Sequence, residues 1–90
     1  MSLGKFIKDP NAKLDYTVDW SSYLGSDTID SVEWVVPDGI TMESQEETES
    51  VATIWLSGGT AGTDYDVVCR ITTVGGRIDD RTIVIKVREQ

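Results

Sequence analysis

Apolar and polar residues alternate one for one in four separate segments of the chain, and no segment carries a helical stripe of comparable length. Leu14, Tyr16, Val18 and Trp20 fall on one face, with Asp15, Thr17 and Asp19 on the other. Ala52, Ile54 and Leu56 alternate with Val51, Thr53 and Trp55. Tyr65, Val67, Cys69 and Ile71 alternate with Asp66, Val68, Arg70 and Thr72, and Ile83, Ile85 and Val87 alternate with Thr82, Val84 and Lys86. A period of two sends every second side chain to the same face of a strand, so each run buries one face and wets the other. The pattern predicts a small all-β scaffold, an architecture that more often binds or joins than catalyses.

The remaining segments fit between these strands. Lys5 to Pro10 reads as a lead-in strand or arm, ended by Pro10 and the turn-former Asn11. Ser21 to Asp27 is loop-like, with Tyr23 and Leu24 tucked against the core. Ile29 to Val36 is a strand with Val32, Trp34 and Val36 inward, and Pro37-Asp38-Gly39 is a turn. Ile40 and Met42 start a short strand that dissolves into the glutamate-rich stretch Glu43 to Ser50, an exposed loop or an edge. The glycine-rich connection holding Gly58, Gly59 and Gly62 leads into the longest strand, Asp64 to Thr73. Gly75-Gly76 then predicts a tight hairpin of the kind that wants positive φ at both central positions. About seven short strands with turn signals every eight to twelve residues indicate an immunoglobulin-like Greek-key β-sandwich over residues 11–90, preceded by an arm or short edge strand over 1–10. An up-and-down barrel suits the uneven connections less well. Tyr65, at the start of its strand after the glycine-rich connection, resembles the tyrosine corner of such sandwiches, with the phenol bonded back to the loop.

Ninety residues make one domain with a single core. The lone Cys69 excludes an intrachain disulfide and lies between Val67 and Ile71 on an apolar face, as a packed thiol. No apolar run is long enough to span a bilayer, and no signal-peptide core is evident, so no membrane contact is expected. Sixteen acids against eight bases give a net charge of −8. That balance argues against nucleic acid as a partner. The charge is unevenly spread: through Asp66 the bases are Lys5, Lys8 and Lys13 alone, whereas Arg70, Arg77, Arg81, Lys86 and Arg88 follow.

Catalytic chemistry finds little footing. The chain has no histidine, so Ser57 lacks the base of an ordinary hydrolase triad. The glycine cluster has neither the spacing nor the trailing lysine of a phosphate loop, and it lies between two strands. The pairs Asp64/Asp66 and Asp79/Asp80 lack a cleft, and the scattered loop acids do not compose a twelve-residue calcium loop. No enzyme activity, cofactor or metal is expected. Trp55 is the exception to the pattern: it falls opposite Ile54 and Leu56, on a face that should be polar, and is either covered or used as a contact anchor.

Several motifs together resemble a known family. Lys8-Asp9-Pro10, the run L-D-Y-T-V-D-W-S (Leu14 to Ser21), Asp27-Thr28-Ile29, and W-L-S-G-G-T-A-G-T-D-Y (Trp55 to Tyr65) are similar to the small fiber-tail adaptor proteins of tailed-phage and prophage structural modules. So is R-I-T-T followed by G-R and D-R-T (Arg70 to Thr82). The resemblance runs from about Lys8 to Val87. It implies a virion component, present in the host cytoplasm during assembly, that joins other phage structural proteins from tail, fiber or head–tail region. The alternative is a carbohydrate- or surface-binding adhesin-type module. Protein-contact candidates are Trp55 and an outer face of the last two strands carrying Val68, Arg70, Val84, Lys86 and Arg88. An apolar, basic face on an otherwise acidic chain would meet Glu43 to Glu49 of another copy, predicting weak self-association that salt diminishes.

Overall fold

The period-two runs all fall in strands. The computed structural model describes residues 2–89, and its elements in chain order are β1 (Ser2–Lys8), β2 (Lys13–Asp19), α1 (Ser21–Leu24), β3 (Ile29–Val35), β4 (Ile40–Glu47), β5 (Val51–Gly58), β6 (Asp64–Thr73) and β7 (Ile78–Val87). They form two sheets, ordered β1-β7-β6-β3 and β2-β5-β4. Neighbours pair antiparallel, except that β1 runs parallel to β7. The chain crosses between sheets from β1 to β2, from β2 to β3, from β3 to β4 and from β5 to β6, which makes a Greek-key, immunoglobulin-like sandwich.

The core is built from the alternation. Ala52, Ile54 and Leu56 of the central strand β5 are fully buried, and they cluster with Val67, Cys69 and Ile71 of β6 and Ile83, Ile85 and Val87 of β7. Tyr16 and Val18 of β2 and Trp20, just beyond its end, close the cluster, with Trp34 from β3. Each fully buried Val, Leu or Ile contributes roughly 1.5–3 kcal/mol from water exclusion, which outweighs any local preference of these short segments. Burial pushes the Cys69 thiol up to about 11, so it sits in the core as a neutral, unreactive group.

Three local features differ from the sequence expectation. Residues 21–24 form a single helical turn rather than a loop, because Leu24 is pulled into the core and the amides of Tyr23 and Leu24 both donate to the Trp20 carbonyl. β4 does not dissolve at Glu43; it continues to Glu47, pairing with β5 as far as Glu47–Ala52 around a bulge between Met42 and Ser44. Its side chains after Ile40 bury nothing, so the alternation that betrays the other strands is missing. The β6–β7 turn is one residue longer than a two-glycine hairpin. The Gly76 amide donates to the Thr73 carbonyl, the Thr73 amide to the Arg77 carbonyl, and only Gly76 of the two glycines has positive φ. This is a turn followed by a left-handed residue, the three-residue hairpin loop.

Each end of the sandwich is locked by a residue of the sequence motifs. At one end Lys8 is completely buried, and its Nζ donates to the carbonyls of Asp9 at 2.9 Å and Gly58 at 2.7 Å. Burial pulls the ammonium below its usual pKa, while nearby Asp9 works in the opposite direction. Beside it the Tyr65 hydroxyl accepts the Thr60 amide at 3.0 Å, and Gly59, at φ +96°, packs against Val87 where a Cβ would approach Cγ2 to 2.7 Å. Gly58 and Gly62 also take positive φ. At the other end Asp27 accepts the amides of Thr28 at 2.9 Å and Gly75 at 3.0 Å and pairs with Arg77 at 3.2 Å. The Thr73 hydroxyl foremost, with these amides and the guanidinium, holds the Asp27 carboxyl at about 2.

Candidate protein interface

With both ends engaged in closure, the two outer sheet faces are the broad surfaces left. On the four-stranded sheet, register sets β6 and β7 so that Val68 lies opposite Thr82, Arg70 opposite Asp80, Val84 opposite Asp66 and Lys86 opposite Asp64. The face therefore does gather Val68, Arg70, Val84 and Lys86, with Arg88 following at its end, but it is not basic. Arg70 grips Asp80 through two parallel bonds, Nε to Oδ1 at 2.8 Å and Nη2 to Oδ2 at 3.1 Å, and reaches Glu33 at 3.3 Å. Arg88 pairs with Asp64 at 2.9 Å. Cross-strand acids thus neutralise the charge that the sequence alone suggests. Ile7 and Val35, 60% and 43% exposed, extend the apolar part of this face. The inward set Val32, Trp34 and Val36 already leaves Val35 on this outer face, whereas the lead-in segment shows no alternation that would place Ile7.

The three-stranded sheet is different. Trp55 stands on its central strand, partly exposed, with Asp15 of β2 on one side and Ser44 of β4 on the other. One step along, Thr53 faces Thr17, their hydroxyls 3.2 Å apart, and on its other side lies Glu46. One step the other way, the Ser57 hydroxyl donates to the Glu43 carboxylate at 2.5 Å. Trp55 is therefore ringed by hydroxyls and by the carboxylates of Asp15, Glu43 and Glu46, with Lys13 the nearest base, opposite Ser57. Among the described residues, none of these three carboxylates makes an ion pair, in contrast to Asp27, Glu33, Asp64 and Asp80. A shallow open recess lined by Glu46, Glu47, Thr48, Val51 and Thr53 continues this face toward the β4–β5 turn.

The arginines complete the electrostatic picture. Arg77 also donates to the Leu24 carbonyl and lies 4.7 Å from the Tyr23 ring. Arg81 stacks over Trp20 at 4.2 Å and donates to the Asp19 carbonyl at 3.1 Å. All four arginines of the chain are engaged within it. The unpaired charge that remains around Trp55 is negative.

A search of curated proteins finds no match. Among solved structures, the chain is similar to the solution structure of the PKD domain from KIAA 1837 protein, at TM-score 0.59 and 21% identity over 96% of this chain and 79% of that one. That likeness supports the sandwich fold and nothing further. The family described as Podophage GP4 fiber-tail adaptor protein gp77 matches residues 8–86, beginning at the buried Lys8 and ending one residue short of Val87. The span takes in both locked ends and both sheet faces, and the chain belongs to this family of phage fiber-tail adaptor proteins.

Proposed function

We propose that this protein is a non-catalytic joint of the phage particle, folded in the host cytoplasm and then built into the virion between tail and fiber components. The observation that carries the reading is the family match over 8–86. The structure's division of labour supports it. The motif residues Lys8, Asp27, Gly59 and Tyr65 are spent on closing the sandwich, which leaves two flat sheet faces on a stiff body for contact with neighbours. A joint needs that geometry: two separate surfaces held at a fixed angle by a core that does not yield. A chain without histidine, with its one candidate serine bonded to Glu43, is poorly equipped for hydrolysis.

Omission tests the reading. Particles assembled without this chain should form tails but lack attached fibers, and adding the purified protein should restore attachment. Fibers attached in its absence would refute the joint. If the isolated chain instead binds host-surface glycans and its loss leaves fibers in place, the adhesin-type reading replaces it.

A further inference from the structure

The outer face of β2-β5-β4 has the chemistry of a docking surface, and its charge says what docks. Trp55 is a large aromatic at the centre of a sheet, flanked by Asp15 and lying one step from Glu46 and from the Ser57–Glu43 pair. Within the described residues these carboxylates have no cationic partner, whereas Glu33, Asp64 and Asp80 of the opposite sheet are paired. A partly exposed indole ringed by carboxylates favours a guanidinium or ammonium: the cation stacks on the ring face and the acids take its hydrogen bonds. The chain uses that arrangement internally, where Arg81 lies over Trp20 and Arg77 over Tyr23. It has no arginine left to offer to a second copy, because Arg70, Arg77, Arg81 and Arg88 are each held at home. Of its lysines, Lys8 is buried, Lys13 lies on this same acidic face and Lys86 stands opposite Asp64, so a guanidinium to stack on Trp55 comes from a different protein.

Resting on the joint reading, we infer that Trp55, Asp15, Glu43 and Glu46 form the docking face for a basic surface of a second virion protein. An arginine of that partner stacks on Trp55 and a further basic side chain reaches the acid-lined recess at Glu46 and Glu47. The test uses two probes, tail particles assembled without this chain and purified fiber protein. Each is titrated with wild-type chain and with Trp55→Ala, Asp15→Lys/Glu46→Lys and, on the opposite sheet, Asp66→Lys. Matching melting curves establish that each variant folds, and Trp55→Phe serves in place of the alanine if that variant is unstable.

For one of the two probes, the Trp55 and double-reversal variants should weaken binding about tenfold or more, as loss of a central aromatic anchor does. Raising salt from about 50 to 500 mM should weaken wild-type binding and leave the reversal variant less affected. Asp66→Lys should bind the probe that the Trp55 variants weaken as wild type does. Wild-type chain that binds one or both probes with variants equal to it within twofold overturns the docking face and leaves the joint intact. Wild-type chain that binds neither probe overturns the joint and the face with it. Sedimentation that shows a dimer abolished by Trp55→Ala identifies the occupant as a second copy and overturns the basic partner.

Discussion

Lys8→Met isolates the clamp at the closed end of the sandwich. Methionine keeps the unbranched stem of the side chain as far as Cε and removes the ammonium with its three donors. The buried ammonium serves two carbonyls, those of Gly58 at 2.7 Å and Asp9 at 2.9 Å, and both lose their donor in the variant. An unsatisfied buried carbonyl costs roughly 1–3 kcal/mol. The opposing term is relief, since the variant no longer strips water from a charged group. Two lost bonds against one relieved desolvation leave a net loss of about 2 kcal/mol. At about 4–8 °C per kcal/mol for a domain of this size, the melting temperature should fall by roughly 8–16 °C.

Thermal unfolding followed by near-ultraviolet circular dichroism, which reports the buried Trp20 and Trp34, reads this directly. The pH dependence supplies a second reading. Burial lowers the Lys8 pKa from the usual 10.5, so in the window below that value the unfolded chain holds more protons than the folded one. Wild-type stability should then rise with pH through that window relative to Lys8→Met. A Lys8→Met protein as stable as wild type, with a parallel pH profile, would refute the clamp.

Three further perturbations test other parts of the scaffold. Tyr65→Phe strands the Thr60 amide and should lower stability by about 1 kcal/mol in urea denaturation; an unchanged midpoint would remove the corner from the account. Gly59→Ala combines positive φ with a Cβ 2.7 Å from Val87 and should cost more than about 1 kcal/mol, part of which Val87→Ala restores in the double variant. If the double variant is no better than the sum of the singles, the close approach is not the source of the strain. Asp27 titrates at about 2 in the folded protein against 3.8 ordinarily, so its stabilisation is present above about pH 4 and is lost as pH falls toward 2. The stability gap between wild type and Asp27→Asn should close over that window, and a gap constant from pH 6 to pH 2 would contradict the assignment.

What the sequence made legible is what burial dictates. Strands with one dry face announce themselves by alternation, so β2, β5, β6 and β7 can be read directly, and Trp20 and Trp34 can be placed in the core. β4 is silent because an edge strand that buries only Ile40 has no period to show. Register is the deeper loss. A two-residue turn at Gly75-Gly76 would set Arg70 opposite Arg81, whereas the observed three-residue loop sets it opposite Asp80. That single residue brings Arg70 to a carboxylate instead of a guanidinium, and it keeps Val84 and Lys86 on the outer face, opposite Asp66 and Asp64. Lys8 offers no local sign of its burial, since its acceptor Gly58 is fifty residues away in sequence. Trp55 was visible as a break in pattern, but the acids around it come from Asp15 of β2 and from Glu43 and Glu46 of β4, and only pairing assembles them.

The central claim is that a rigid sandwich joins two different virion proteins through separate faces. A reconstruction of the assembled particle, with this chain located in the density, tests it most directly. The account predicts the sandwich lodged between tail and fiber proteins, with Trp55 buried beneath a basic side chain of one of them. A particle that contains no copy of the chain, or one in which the chain touches a single neighbour and Trp55 faces solvent, would contradict it.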